Sequence, residues 1–345
     1  MTSTSGTTHH KRLRVALFGA GRIGAVHAKN IAAHTCAELA WVVDPCPGAA
    51  AALAASYGGA PAAAPDQVFD DVALDAVLIA SPTPTHIDLL YRAQSTGLPA
   101  FCEKPVGLDL AAASALAATL TASSAPIMVG FHRRFDPSFA AIWDRVRSGE
   151  IGVVEQLIVV SRDPAPPPPS YVGLSGGIFR DCSIHDLDLA RLFVPSIVSV
   201  HATGSNLFCD YIEQAGDFDS ATITACGAAG ELVTIVNSRR CVFGYDQRLE
   251  VFGSAGMLTA GNVTPTTVRS YGAGSTGAAD EYQPFFLERY ASAYAAELDS
   301  FITSVAAGTP PTPSFGDGLA ALVLADAAQR SALTGQTVYL TPAAS

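Results

Sequence analysis

Over the first third of the chain, short runs that are apolar on both faces alternate with longer stretches of helical periodicity. Arg14–Phe18, Leu39–Val43, Ala76–Ile79, Ala100–Cys102 and Ile127–Gly130 are apolar on both faces and bounded by Gly, Pro or Asp. That pattern predicts buried parallel strands. The intervening stretches, Arg22–His34, Gly48–Tyr57, Thr85–Thr96 and Leu110–Ala122, predict helices. Such βαβ alternation predicts a doubly wound parallel sheet. Beyond about residue 150 the rhythm changes. Val153–Ser161, Ile197–Asn206, Ser220–Gly227, Leu232–Ser238, Gln247–Gly253 and Met257–Ala260 follow one another with few helices between, which predicts a large, open, mostly antiparallel sheet. Asp181–Phe193 is predicted as a helical insertion, and Pro284–Ala307 and Phe315–Leu333 as two closing helices. Asp163–Ser170 carries five prolines and is predicted to be a stiff extended loop.

One junction carries a cofactor signal. The first strand runs straight into Gly19-Ala20-Gly21-Arg22-Ile23-Gly24 and then a helix. In that setting Gly19 permits the tight turn, Gly21 lets the backbone approach a pyrophosphate, and Gly24 lets helix and strand pack closely, with the helix N-terminus facing the phosphates. Asp44 ends the second strand twenty residues after Gly24. An acid there accepts hydrogen bonds from the adenosine ribose and repels a 2′-phosphate, and only Pro45-Cys46-Pro47 follows, so NAD is expected over NADP. Ser81 and Thr83 offer hydroxyls at the carboxyl end of the sheet, Thr85 is a candidate cap for the next helix, and His86 is either a cofactor neighbour or a first-turn helix residue. The expected organisation is a Ser/Thr/Gly-rich disordered segment over 1–11, a Rossmann domain over 12–131, and an α/β domain for substrate and oligomerisation over 132–345.

Two further clusters suggest chemistry. Glu103-Lys104-Pro105 closes a strand at its carboxyl end, where a lysine is aimed at the nicotinamide and a cis bond at Pro105 is one way to aim it. Glu103 either holds the local geometry or contacts cofactor. Asp181 and His185 stand four apart in a predicted helix, so they share a face. A carboxylate beside an imidazole can orient it, and a histidine suits the removal of a hydroxyl proton near neutral pH. A capping Asp and a core His explain the same spacing.

Composition narrows the partners. Apolar residues make up 49% of the 345 and charged ones 15%, enough for two cores. The net charge of −11, without a basic cluster, argues against nucleic acid and anionic membranes. No stretch approaches the roughly 20 apolar residues of a membrane span. Lys11-Arg12-Leu13-Arg14 precedes an apolar run in the manner of an export signal, but the glycine loop behind it favours a first core strand. Seven scattered cysteines form no CxxC pair and have no metal-ligand spacing with the eight histidines, so a reducing cytoplasm and no structural metal are expected. Val, Ile and Leu recur in the later strands beyond what one buried face needs. The second face of that sheet is therefore expected to be covered by another copy of the chain.

These residues also carry a resemblance. From Leu13 to Leu340 the chain resembles the Gfo/Idh/MocA oxidoreductase family, and within it the inositol 2-dehydrogenase branch. The family marks are GAGRIG at 19–24, SPTPTH at 81–86, EKP at 103–105 and GGIFRDCSIHDLDLAR at 176–191. Closer to the inositol branch are FHRRFDP at 131–137, SRDPAPPP at 161–168, GYDQRLEVFGS at 244–254 and FFLERYASAYAAEL at 285–298. The resemblance implies a catalytic set of Lys104, Asp181 and His185, with His185 as general base, Asp181 paired with it, and Lys104 donating to the substrate oxygen. It implies that Arg133 and Tyr245 lie near a polyol, with Asp163 and Asp188 as weaker candidates. A structural salt bridge and a packed aromatic are the alternatives for Arg133 and Tyr245. It also implies a homotetramer and oxidation of a ring hydroxyl, with myo-inositol going to 2-keto-myo-inositol as the first choice. Scyllo-inositol or another sugar or anhydrosugar is the alternative, and a dinucleotide-binding sensor without catalysis is a second. The sequence departs from relatives at His132, where asparagine is frequent, at Leu174, where the residue is often more polar, and at Cys182, where methionine is common.

Overall fold

The computed structural model describes residues 12–340; the segment 1–11, expected to be disordered, lies outside them. The chain forms two compact units. Residues 12–103, 118–130 and 294–315 make the first, and residues 104–117, 131–293 and 316–340 the second. The division is thus not a single cut at 131/132. Residues 294–315 join the first unit because they pack there: Tyr294 meets the ring of His27, Phe301 meets Phe101, and the Pro313 carbonyl accepts the Val129 N–H.

The first unit holds a six-stranded parallel sheet of β1 (Leu13–Phe18), β2 (Ala37–Val43), β3 (Ala60–Ala62), β4 (Ala76–Ile79), β5 (Ala100–Glu103) and β6 (Ile127–Gly130), in the order β3-β2-β1-β4-β5-β6. The central strands are buried at nearly every position, which is why they read as unbroken apolar runs. The short β3 contains Pro61 and was not expected; it sits at the sheet edge, where proline removes no needed ladder donor. Helices α1 (Arg22–Ala33), α2 (Pro47–Tyr57), α3 (Asp66–Phe69) and α4 (His86–Thr96) connect these strands. Because the strand order reverses at β1, the loops after β1 and β4 emerge side by side at the carboxyl edge, the place where such sheets bind ligands.

The second unit begins with α5 (Leu110–Thr119), most of which lies in it, and α6 (Pro137–Arg147). Helix α6 was not expected, although its start is written in the chain. Asp136 caps it by accepting the N–H groups of Ser138 and Phe139, and Pro137 takes the first helical position. The seven-stranded sheet comprises β7 (Val154–Arg162), β8 (Ile197–Ser205), β9 (Ser220–Gly227), β10 (Leu232–Ser238), β11 (Asp246–Gly253), β12 (Gly256–Ala260) and, after an exposed hairpin of β13 (Arg269–Gly272) and β14 (Ser275–Ala279), the terminal β15 (Val338–Tyr339). Its order is β12-β11-β7-β10-β9-β8-β15, and β7 with β10 is its one parallel pair.

One face of this sheet is core, with Leu157, Val159, Ile223, Val233, Ile235, Leu249 and Val251 all buried. The other face is open: Met257, Phe252, Gln156 and Leu232 stand in one cross-strand row, and Ile158 lies between Glu250 and Thr234 in the next. Prolines keep 163–168 out of regular structure. Pro169 then opens a short helix, α7 (Pro169–Ser175), and Gly176 and Gly177, both at positive φ, end it. The expected helical insertion starts as a π turn over Phe179–Ser183 and continues as α8 (Ile184–Phe193). The chain also forms α9 (Asp210–Gln214), α10 (Phe286–Arg289), α11 (Ala291–Ala307) and α12 (Phe315–Thr334). No described helix is long and apolar enough to cross a membrane.

Candidate active site

In the first unit, three glycines do three different jobs. Gly19 has φ +100, and a Cβ there would lie 2.6 Å from the Ala80 carbonyl oxygen and the Ser81 nitrogen. A Cβ on Gly24 would stand 2.0 Å from the Gly19 oxygen, so helix α1 packs against the loop only through a glycine. At Gly21 nothing lies within 4 Å. The space over Gly21 is free for a ligand, and α1 starts there with no side-chain cap and no acidic residue in its first turn. Arg22 and Ile23 open the helix, Arg22 exposed and Ile23 half-buried. An uncapped helix start beside an open glycine suits a pyrophosphate.

Asp44 is fixed beside this cradle. One carboxylate oxygen accepts the Ala20 N–H and the other the Cys46 N–H, each at 2.8 Å. Each oxygen keeps a lone pair for a ribose hydroxyl. The residues present therefore fit an adenine dinucleotide without a 2′-phosphate. Ser81 pairs its hydroxyl with that of Thr85 at 2.6 Å, and Thr83 lies half-buried in the short 3-10 turn that follows. Thr85 does not cap α4: it sits in helical backbone geometry, and its hydroxyl donates back to the Pro82 carbonyl. His86 is buried, with its Nε2 2.9 Å from the Ser81 carbonyl oxygen, so it fastens the loop. Glu103 is likewise buried, 2.7 Å from His27 Nε2.

The second unit gathers the ionisable cluster. Lys104, whose bond to Pro105 is cis, donates from Nζ to the Asp181 carbonyl at 2.7 Å and to its Oδ1 at 3.4 Å. Tyr171 donates its hydroxyl to the same Oδ1 at 3.0 Å, and Arg239 reaches Oδ2 at 3.3 Å. Burial pushes the Asp181 carboxyl up, but Lys104, Arg239 and the Tyr171 hydrogen bond outweigh it and hold the group below the ordinary carboxylate range. His185 lies beside His132, 4.8 Å between ring centroids, and edge-on to Phe131. Burial, together with the charges of Lys104 and Arg133 and with His132, pushes its imidazole well below the usual range, so it is neutral. Burial and the Asp181 charge raise Asp163 to about 6 against the pull of Arg239 and Arg133, and the Cys182 thiol donates to it at 3.7 Å.

The expected Asp181–His185 hydrogen bond is not made. The π turn departs from regular α-helical spacing, and the Asp181 carboxylate is taken up by Tyr171, Arg239 and Lys104, while His185 Nδ1 makes no hydrogen bond. Arg133 is buried in an ion pair with Asp186 and donates to Ser161 at 2.8 Å. Tyr245 packs edge-on against Phe285 and Tyr290. Both still belong to the cluster: Arg133 lies within electrostatic reach of Tyr245 and of the Asp163 carboxylate, and His185 feels the charge of Arg133. Asp188 does not join it and is held in a two-pronged pair by Arg134. Tyr171 and Arg239 were not anticipated. Arg239 lies 58 residues from Asp181, and no local motif marks it.

Comparison with known proteins shows the family and the fold. Residues 13–131 match the profile "Oxidoreductase family, NAD-binding Rossmann fold", and residues 139–259 match the "GFO/IDH/MocA C-terminal domain". An inositol 2-dehydrogenase of Rhizobium meliloti is 44% identical over 92% of this chain and 96% of its own. The crystal structure of a myo-inositol dehydrogenase from Corynebacterium glutamicum is 53% identical, covers 96% of this chain and all of that one, and superposes with a TM-score of 0.93. A scyllo-inositol dehydrogenase from Lactobacillus casei, solved with bound NAD(H) and scyllo-inositol, is 28% identical over 95% of this chain and 99% of that one, with a TM-score of 0.86.

Proposed function

The chain belongs to the Gfo/Idh/MocA oxidoreductase family, and from that premise we propose that it oxidises a ring hydroxyl of an inositol to the ketone with NAD, myo-inositol first. The observation that carries the reading is the pairing of Lys104 with an ionised Asp181, the same lysine acting on a neutral His185, in a chain whose first unit holds the NAD cradle. When bound, NAD supplies the acceptor for the hydride that leaves the carbinol carbon. Gly19, Gly21, Gly24, the opening turn at Arg22 and Ile23, Asp44 and the Ser81–Thr83 loop hold it, while His86 and Glu103 stiffen their surroundings.

His185 takes the hydroxyl proton, since a neutral imidazole has a free lone pair. Lys104 donates to the substrate oxygen, and Asp181 keeps its ammonium placed. Asp163, Arg133 and Tyr245 supply polar edges for the remaining hydroxyls, while Asp188 serves the fold through Arg134. The test is to incubate the protein with NAD and a panel of inositols and follow reduced nicotinamide. Turnover of myo-inositol is expected, and no turnover of any inositol rules the reading out. The scyllo isomer is the second reading, favoured by the Lactobacillus casei relative; a higher kcat/KM for it than for the myo isomer selects it.

The open sheet face also supports a homo-oligomer, a tetramer by family resemblance, and the seven free cysteines suit the reducing cytoplasm. Ile158→Glu places a charge in the middle of that face. Sedimentation of this variant as a smaller species is the expected result, and an unchanged assembly rejects the interface.

A further inference from the structure

Among the described residues Arg239 is the largest fully buried side chain, 1% exposed. A guanidinium so buried is tolerable only with anionic partners. It has two. One amino group donates to Asp181 Oδ2 at 3.3 Å and the other to Asp217 Oδ2 at 3.1 Å. The second oxygen of Asp217 accepts the N–H of Ile178 at 2.8 Å, at the residue that opens the π turn carrying Asp181. Arg239, just beyond β10, is itself tied to the sheet, for its N–H donates to the carbonyl of Asp219, the residue before β9. Lys104, Asp181, Arg239 and Asp217 thus form one alternating chain of charge that ends on the backbone of the turn.

We propose that Arg239 is a positioning residue for the oxidation: it locks the Asp181 carboxylate, and with it the Lys104 ammonium, in the orientation that the substrate hydroxyl meets. This rests on the roles given above to Lys104, Asp181 and His185. The fork of a guanidinium is what the geometry uses, because it reaches two carboxylates at once and a lysine reaches one. The groups that face Asp181 are Lys104 after β5, Tyr171 on α7, Arg239 after β10, Asp163 after β7 and Cys182 in its own turn. Removing Arg239 removes a cation from both Asp181 and Asp163, so both carboxyls become easier to protonate and the acid limb of activity moves to higher pH.

The experiment compares Arg239→Gln and Arg239→Lys with the parent for kcat, KM, the pH dependence of kcat/KM, NAD affinity and melting temperature. Arg239→Gln is expected to lower kcat about 100-fold and to raise the acid limb by about one pH unit, with NAD affinity unchanged. Arg239→Lys is expected to recover about a tenth of the parent kcat. An unchanged kcat and acid limb in folded Arg239→Gln overturns the proposal. A lower melting temperature with both left in place does so too, because it marks a role in folding alone. If Arg239→Gln does not fold, full activity with an unmoved limb in Arg239→Lys, or in Asp217→Asn, overturns it equally. Lys104→Ala and Asp181→Asn run alongside. If these keep parental kcat, the catalytic reading itself fails; if they lose it while the Arg239 variants do not, only the role of Arg239 fails.

Discussion

The two units solve opposite problems. The first makes a ligand cradle from backbone and from the absence of side chains: glycine at three positions, an uncapped helix start, and one carboxylate fixed by two N–H groups. The second gathers an ionisable cluster from side chains that are buried and far apart in sequence, such as Lys104, Asp163, Asp181, His185 and Arg239. A cradle of the first kind depends on backbone geometry and on a few close backbone approaches, such as that of Gly19 to Ala80 and Ser81. A cluster of the second kind depends on every partner, because each charge shifts its neighbours.

Changes in the second unit should therefore cost chemistry and spare binding. Lys104→Ala and His185→Ala are each expected to lower kcat by about 10³-fold or more while NAD affinity, read by fluorescence titration, stays within error. Loss of NAD affinity along with kcat would erase the contrast. Within the first unit, Gly24→Ala and Gly21→Ala should part ways. A Cβ at Gly24 meets a backbone oxygen that cannot yield, so the fold should lose about 1–3 kcal/mol along with NAD binding. Gly21→Ala meets no chain atom, so the melting temperature should hold while NAD affinity falls about tenfold. Equal effects on melting would show that Gly21 is structural as well. Asp44→Ser should narrow the preference for NAD over NADP in kinetic assays, and an unaltered ratio would remove Asp44 from the ribose site.

The smallest effect is a pH signature in the second unit. Asp163 is raised to about 6 in the folded protein from an ordinary value of 3.8. The folded state therefore holds more protons than the unfolded one between those values. Stability falls as pH rises through that window and stays lower above it. Asp163→Asn should abolish this fall and stabilise the protein at pH 8, relative to its parent, by about 1–3 kcal/mol. It should also remove any limb near pH 6 from the kcat/KM profile. A parent whose melting temperature is flat from pH 4 to about 7 would contradict the environment assigned to Asp163.

The same contrast explains what could be read in advance. Strand, glycine loop, helix and Asp44 form one contiguous signal, and the structure places them as the sequence suggested because local turn geometry is a local property. Lys104, Asp181 and His185 could be singled out, but not their pairing. An i,i+4 spacing pairs two side chains only on an α-helix, whereas the chain makes a π turn here and Tyr171 and Arg239 compete for the Asp181 carboxylate. For Arg133 the sequence left open a substrate contact or a structural salt bridge, and the structure shows the ion pair with Asp186; Asp188 read as a weaker polar candidate, whereas burial holds it to Arg134. Helix α6 was missed despite the Asp136-Pro137 start, for no long apolar run drew attention to it. The exposed hairpin β13–β14 buries nothing, and so left no periodicity to read.

In the proposed reaction a ring hydroxyl of inositol is oxidised through Lys104 and His185 with NAD as acceptor. The most direct test is single-turnover formation of reduced nicotinamide on mixing the protein with NAD and myo-inositol carrying deuterium at the carbinol carbon. Deuterium appearing on the nicotinamide ring of the parent, and none from His185→Ala, is the predicted result. Bound NAD with no transfer from any inositol in the parent would contradict it.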